Sequence, residues 1–489
     1  MREARGYAAA IAIFVAALLA GCGALLAGCA VGPNYHRPHE TVDSNFVNAS
    51  EPGLAEGDPE ERYWTSFGDP MLTQLVEDAV VHNTDLQAAT ANLQAARAAR
   101  RLAGFDQFPT VTATAEYAKV LESGQELPGY TFNQREFDTA QAGFDGLWEL
   151  DLFGRVRRNV EAARADVGAS EATLRDARVS VIAEVARDYF ILRGLQDQLS
   201  LTHRNADNQA ATVKLTYTRL EAGRGNELDT SRAEAEYQTT LSTIPTLEAS
   251  IATTVYRISV LTGRAPTALR EQLSAAAPMP ALPAFSAIGT PQRLLRRRPD
   301  VRVAERQLAA ATARVGVAMG DLFPKVTLVG EVGYSAASFG QFGQSQSRFF
   351  QAGPSISWAA FDMGRVLARI GESRALTDAA VASYQSAVLN ALADAEGTMI
   401  TYGRSQSRRQ ALQIAAAASD KAADLAEQRF EGGLIDFLEV LDAQRTALSA
   451  ELLLSQSRTD SATALIAVYK ALGAGWAIPE SSAPVATNR

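Results

Sequence analysis

Trp148, Gly154, Arg155 and Val156 return as Trp358, Gly364, Arg365 and Val366, each after 210 residues. The same interval separates RLEAG, Arg219 to Gly223, from RFEGG, Arg429 to Gly433, and it separates Gly263 from Gly473. Phe108 and Pro109 answer Phe323 and Pro324 at 215, which predicts one hairpin loop five residues longer in the first half. A chain that repeats its punctuation over this distance builds one unit twice, so any fold proposed for one half must serve the other.

The unit reads as helix, hairpin and long helices. From Met71 to Gly104 apolar residues recur at helical spacing, with Asp69 placed to cap and Pro70 at the first helical position. Thr110 to Tyr117 then alternates, Val111, Ala113, Ala115 and Tyr117 on one face and threonines with Glu116 on the other. A second alternating run places Ala140, Ala142, Phe144, Gly146, Trp148 and Leu150 together against Thr139, Gln141, Asp145 and Glu149. Two such runs make a hairpin. Gly154 permits a sharp turn, and a helical pattern follows from Arg155 to about Glu221, with Val160, Val167, Leu174, Val181 and Leu195 on a heptad seam. Such a helix is on the order of 100 Å long, more than a compact core needs.

The second half keeps the order. Pro291 opens a helical region that Pro324 closes. Val326, Leu328, Gly330, Val332 and Tyr334 form one strand face; Phe350, Ala352, Ile356, Trp358 and Ala360 form the next, interrupted by Pro354, which a bulge or unpaired position tolerates. Arg365 to about Glu431 is again helical. Gly364 is expected to make the strand-to-helix turn that Gly154 makes.

The chain starts like an exported protein. Arg2 and Arg5 precede an apolar run from Tyr7 to Leu19, too short for a comfortable membrane span. Both cysteines, Cys22 and Cys29, end the tetrapeptide LAGC, the bacterial lipobox. Cys29 is the preferred lipidation site, with Cys22 the alternative, and Ala30 after it favours sorting to the outer membrane. The covalent lipid on that cysteine is the sole prosthetic group expected, with no other cofactor. One lipid anchor binds membranes only modestly, so a second hold is expected.

The amphipathic strands supply it. Strands of about ten residues with one apolar face ending in an aromatic suit a membrane wall about 25 Å high. Trp148 and Trp358 then form the interfacial girdle. An open four-stranded sheet leaves edge amides unsatisfied in lipid, so closure needs further copies. Two copies give eight strands and a filled interior; three give twelve and a lumen, and rotational symmetry closes the long helices into a tube. The expected fold class is mostly α with membrane β, a homotrimer whose barrel continues into a periplasmic helical tunnel.

YWTSFGDPMLTQLVEDAV, WELDLFGRVRR, LLRRRPDVRVAE, the FP before each first strand, LDAQR and YKALGAGW together resemble the TolC-like outer-membrane efflux proteins, in the lipoprotein branch serving resistance-nodulation-division (RND) pumps. The similarity runs from CAVGPNY to GAGW; the departures are GAGW itself, where three glycines are frequent, and the doubled lipobox. The resemblance implies a channel that meets a periplasmic adaptor and an inner-membrane RND pump. It further implies that the LDAQR helix lines a periplasmic constriction. Leu438, Asp442 and Arg445 fall on one helix face, an apolar plug and acidic ring held by Arg445 or by a neighbour's arginine. Their first-half counterparts, Leu228, Arg232 and Ala235, carry no acid. The helix tips with Gly223, Gly225, Gly432 and Gly433 are, by resemblance, the adaptor-facing turns.

The implied division is a signal peptide 1–28, a lipidated extended lead 29–68, a first repeat 69–270, a linker 271–290, a second repeat 291–476 and a disordered tail 477–489. In LLRRRPD, Pro299 and Asp300 mark a helix start rather than a basic site. Glu116, Asp145, Glu149 and Glu331 make the lumen mildly acidic, hence cation-preferring. A net charge of -9 argues against nucleic acid. The four histidines share no metal-ligand spacing, and no nucleophile, base and orienting group stand together, which argues against an enzyme. A periplasmic adaptor would show one helical hairpin, an envelope coiled coil no amphipathic strands, and a protein-secretion conduit is the rival within the channel reading.

Overall fold

The computed structural model describes residues 30–284 and 286–476; the predicted signal peptide, Cys22, Cys29 and the tail 477–489 lie outside the described residues. Two helices, α1 (Pro70–His82) and α2 (Thr84–Phe105), lead into strands β1 (Thr110–Leu121) and β2 (Glu136–Leu150). Helices α3 (Arg155–Glu221) and α4 (Glu227–Leu261) complete the first repeat. The second runs α5 (Pro291–Arg297), α6 (Pro299–Gly320), β3 (Lys325–Ala336), β4 (Arg348–Ser357), α7 (Met363–Glu431) and α8 (Phe437–Ala471).

The chain divides into two compact units that do not follow the repeats. One gathers Met1–His39, Asn92–Ser170 and Val303–Gln385, the other Glu40–Ala91, Glu171–Arg302 and Ser386–Arg489. Each therefore draws segments from both repeats.

The second unit holds a core of Tyr63, Trp64, Leu72, Ile182, Tyr189, Phe190, Ile258, Met399, Tyr402 and Tyr469, all buried. Tyr63 stacks on Tyr469 with ring centroids 4.5 Å apart. Each such side chain contributes on the order of 1.5–3 kcal/mol by leaving water. Asp69 caps α1 as its sequence promised, accepting from the Leu72 amide at 3.0 Å, and its other oxygen accepts from the Tyr189 hydroxyl at 2.7 Å.

The single helix expected from Met71 to Gly104 is two. Asn83 sits between them with extended backbone, and its side-chain oxygen accepts from the amides of Asp85 and Leu86 at 2.9 and 3.1 Å. That bond starts a new helix, satisfying amides that the first could not reach. Arg298 interrupts the second half in the same way, so α6 begins at Pro299 and Asp300, the helix start read from LLRRRPD.

The five residues that separate the two intervals lengthen the sheet more than the loop. β1 and β2 pair from Thr110–Leu147 to Leu121–Glu136, whereas β3 and β4 pair from Lys325–Ser357 only to Tyr334–Arg348. The first hairpin thus carries two more rungs, using four residues, and its turn is longer by one.

Candidate membrane wall and channel site

The four strands form one antiparallel sheet in the order β1, β2, β3, β4, all within the first unit. Residues opposite one another share a face, so the register decides what each face carries. One row reads Ala113, Phe144, Val332, Phe350, and the row beside it on the same face Ala115, Ala142, Tyr334, Arg348. Val111, Gly146, Trp148, Leu150, Val326, Leu328, Gly330, Ala352, Pro354 and Ile356 complete that face. The other face has Thr112, Asp145, Glu331 and Gln351 in one row and Glu149, Thr327 and Ser355 in another. The apolar side is uncovered: Phe350 is 83% exposed, and Val111, Phe144, Val332 and Ile356 are exposed too.

Both ends of this face carry aromatics. Trp148 Nε1 donates to the Gln107 carbonyl at 3.0 Å, and Trp358 Nε1 donates to the Leu322 carbonyl at 3.0 Å. At the opposite end Tyr117 meets Phe339 at 6.1 Å and Tyr334 meets Phe342 at 6.0 Å between centroids. Eight residues of β2 separate Trp148 from Ala140, which pairs with Tyr117. At about 3.3 Å per residue and 40° tilt they rise about 20 Å, close to the apolar band of a membrane barrel, about 25 Å. The outer pair of loop phenylalanines escaped the sequence reading because they follow the alternating run rather than sit in it.

Trp358 itself lies just beyond β4, which ends at Ser357, and Ala360 lies further out, so neither is a strand residue as expected. The indole is still held against its hairpin by the Leu322 bond. Pro354 needs no bulge: the register through it is unbroken, and β4 is an edge strand, where a missing amide is tolerated.

At the junction with α3, Gly154 has φ +82° and leaves no space for a side chain, since a Cβ would lie 2.5 Å from the Ala30 Cβ. Asp151 caps the helix, its carboxylate accepting from the amides of Val156 and Arg157 at 3.1 and 2.8 Å. Gly364 is no turn, contrary to expectation. It is the second residue of α7, its φ is not positive, and a Cβ there would meet nothing. Relative to the repeat Asp362 stands where Leu152 does, directly ahead of α7, and its carboxylate pairs with Arg365 at 2.7 Å, whereas Asp151 lies four residues before the start of α3 and bonds that helix's amides.

The lead segment runs into that junction. Val31 donates its amide to the Phe153 carbonyl at 3.0 Å. The Arg158 guanidinium, only 4% exposed, donates to the carbonyls of Val31 at 3.1 Å and Gly32 at 3.2 Å and to Asn34 Oδ1 at 2.7 Å. Tyr35 donates to Glu305 at 3.1 Å, and burial followed by the Glu305 charge pushes the phenol up to about 12. Before β3, burial acts to raise the Asp321 carboxyl, but ion pairs to Lys325 and Arg369, each 2.9 Å, outweigh it and hold it below the usual carboxylate range.

At the helix tips Gly223 and Gly433 adopt φ +67° and +73°. Each closes its helix with the same pair of bonds, Gly223 to Leu220 and Arg224 to Arg219, then Gly433 to Phe430 and Leu434 to Arg429, all 2.8–3.0 Å. A Cβ on Gly225 would come within 2.9 Å of the Leu220 amide nitrogen, whereas Gly432 meets only ordinary contacts. On α8, Phe437, Val440 and Leu441 are buried, while Leu438, Asp442 and Arg445 are exposed. Within the chain Arg445 pairs with Glu236, 3.5 Å away, and not with Asp442. The carboxylate on α4 is nearer its guanidinium than the one on its own helix, a partner that helical spacing alone does not reveal.

Among the described residues no helix is long and apolar enough to cross a membrane, and no group of three acidic, histidine or cysteine side chains could hold a metal ion. A twice-repeated hairpin with an apolar, aromatic-bounded face, joined to helices of 67 and 69 residues, is the architecture of outer-membrane efflux channels. The chain belongs to the outer membrane efflux protein family, whose model matches residues 75–264 and 290–474. It is an outer-membrane protein of a family of channels.

Among known proteins it is 30% identical to nodulation protein T of Rhizobium leguminosarum bv. trifolii over 95% of this chain and 96% of that one. It is also 30% identical to outer membrane protein OprJ of Pseudomonas aeruginosa, over 95% of each. The solved outer-membrane channel OprN superposes with a TM-score of 0.85 at 41% identity, covering 92% of this chain and all of that one. The open state of the Neisseria gonorrhoeae MtrE outer membrane channel gives 0.79 at 28% identity over 92% and 99%.

Proposed function

We propose that three copies close a twelve-stranded barrel and a helical tunnel, forming the outer-membrane channel of a tripartite pump that exports small molecules. The carrying observation is the sheet: one apolar face lies uncovered, and among the described residues neither edge strand, β1 or β4, has a further strand beside it. In hydrocarbon each unpaired backbone amide costs several kcal/mol, so β4 of one copy must take β1 of the next. Two copies would fill their own interior; three leave a lumen.

The polar face then lines the lumen. Asp145 and Glu331 stand directly opposite each other there, an arrangement that favours bound cations, so the channel prefers cations. In the helical unit Leu438 and Asp442 form the constriction, with Arg445 held by Glu236, and the tips carrying Gly223, Gly225, Gly432 and Gly433 receive a periplasmic adaptor joined to an RND pump. The relatives' names, among them the solvent efflux pump protein SrpC of Pseudomonas putida, 29% identical, favour small-molecule export over protein secretion. Cys29 is the proposed lipid carrier, with Cys22 the alternative; what supports a lipid on this segment is that Ala30 and Val31 are held at the strand-to-helix junction, at the same end of β2 as Trp148. Mass spectrometry of the mature N-terminal peptide distinguishes Cys29 from Cys22.

Planar-bilayer recording of the purified full-length protein tests the function. Cation-selective steps are expected; a protein that inserts without conducting, or conducts anions preferentially, overturns the corresponding part of the reading.

A further inference from the structure

The apolar face is not smooth. A groove of about 810 Å³ crosses it, lined among others by Ala113, Ala142, Phe144, Tyr334, Arg348 and Phe350. The register explains the groove. Ala113 and Ala142 are small residues diagonal to one another, while Phe144, Tyr334 and Phe350 stand beside them in the same two rows. Phe342 reaches in from the β3–β4 loop to meet Tyr334.

Arg348 lies at the groove's outer end, as the first residue of β4. Its guanidinium sits 6.0 Å from the centre of the Tyr334 ring, and among the described residues no carboxylate forms an ion pair with it. Lys119, on the same face of β1, is by contrast neutralised by Glu136 at 2.6 Å. An unpaired cation above an apolar furrow, among the girdle aromatics, is arranged for an amphiphile whose charge is negative and whose tail enters the membrane.

The geometry points to a lipid site: Arg348 binds the phosphate of an anionic membrane lipid, and one acyl chain of that lipid lies over Ala113 and Ala142. This rests on the reading of the apolar face as the membrane-facing wall. Charge complementarity selects the headgroup, the aromatic walls admit the chain, and the neighbouring copy expected along the β4 edge extends the sheet without covering its face. An arginine close to anionic headgroups shifts binding by about fivefold.

Native mass spectrometry of the full-length protein, extracted and then exchanged into mixed micelles of phosphorylated lipid A or of phosphatidylcholine, tests this. Wild-type protein should retain the phosphorylated lipid at least fivefold more than phosphatidylcholine. Arg348→Gln should remove the preference, and Ala142→Phe, which fills the furrow, should reduce retention of both lipids. Millimolar inorganic phosphate should not displace the lipid, since the chain holds it. Equal retention by wild type and Arg348→Gln overturns the site, as does displacement by phosphate alone. The same spectra report the number of chains in each variant, so a misassembled variant is recognised. Conductance of the wild-type protein separates the two readings: a conducting channel with no lipid preference sinks the groove alone, and a protein with neither sinks the membrane wall.

Discussion

Asn83 and Arg298 hold the same station in the two repeats and reach for the same atom. Asn83 Nδ2 donates to the Leu261 carbonyl at 2.9 Å, and Arg298 Nη1 donates to the Ala471 carbonyl at 3.0 Å. The donors are 215 residues apart and the acceptors 210, the two intervals found in the sequence. Each side chain ties the break between a repeat's first two helices to the last turn of its final helix, next to Gly263 or Gly473.

The two ties differ in strength. Arg298 is 11% exposed and also pairs with Asp300 at 2.6 Å and Asp394 at 3.2 Å. Those acids are 35% and 59% exposed, so Arg298→Ala, which removes charged hydrogen bonds rather than stranding buried charges, should cost about 1.5–3 kcal/mol. Asn83→Ala loses a cap and one bond, about 1–2 kcal/mol. Denaturant midpoints of the two variants should fall in that order.

Gly154 and Gly364 are the same letter in different geometry. Gly154→Ala meets both a positive φ and the Ala30 methyl, so it should lose more than about 1 kcal/mol and loosen the lead segment, seen as faster proteolysis there. Gly364→Ala enters a helix with open space and should be neutral or gain up to about 1 kcal/mol. Equal effects at the two positions would contradict the structure.

Asp176 offers a test in pH. Burial, and then the Asp300 charge, raise its carboxyl above the usual range, although Arg298 and Lys470 oppose them. An acid whose folded value is raised destabilises the fold above that value, and the penalty disappears as pH falls through it. Asp176→Asn should therefore raise the melting temperature at pH 7 and lose its advantage in acid. A gain that persists unchanged in acid would count against this.

At the constriction, stability and conduction should separate. Arg445 is 61% exposed, so its pair with Glu236 is worth under about 1 kcal/mol, and Arg445→Ala should leave the unfolding midpoint almost unmoved. Asp442→Ala and Leu438→Ala should raise single-channel conductance several-fold by widening the ring. Unaltered conductance in all three variants would remove the gate from α8.

Much of this was legible in the chain. The long helices from Arg155 and to Glu431, the hairpins and the Asp69 cap follow from period, alternation and punctuation, because those elements bury one continuous stripe or one face. The break at Asn83 was hidden since apolar spacing runs through it; its signal was Asn83 with Asp85 two residues on, a cap inside a periodic stretch. Gly364 misled because a repeated glycine was read without the residues ahead of it: α7 begins directly after Asp362, whereas three residues separate Asp151 from α3. The Arg445 partner lay beyond reach, since Glu236 is brought near only by the packing of α4 on α8.

The central claim is that β4 of one copy completes its ladder with β1 of another. Both cysteines precede residue 30, so cysteines placed at Thr114 on β1 and Gln351 on β4 can be joined selectively by a short thiol crosslinker in isolated membranes. The account predicts a ladder of one, two and three chains that stops at three. Crosslinks confined to single chains, or a ladder that runs on past three, would contradict it.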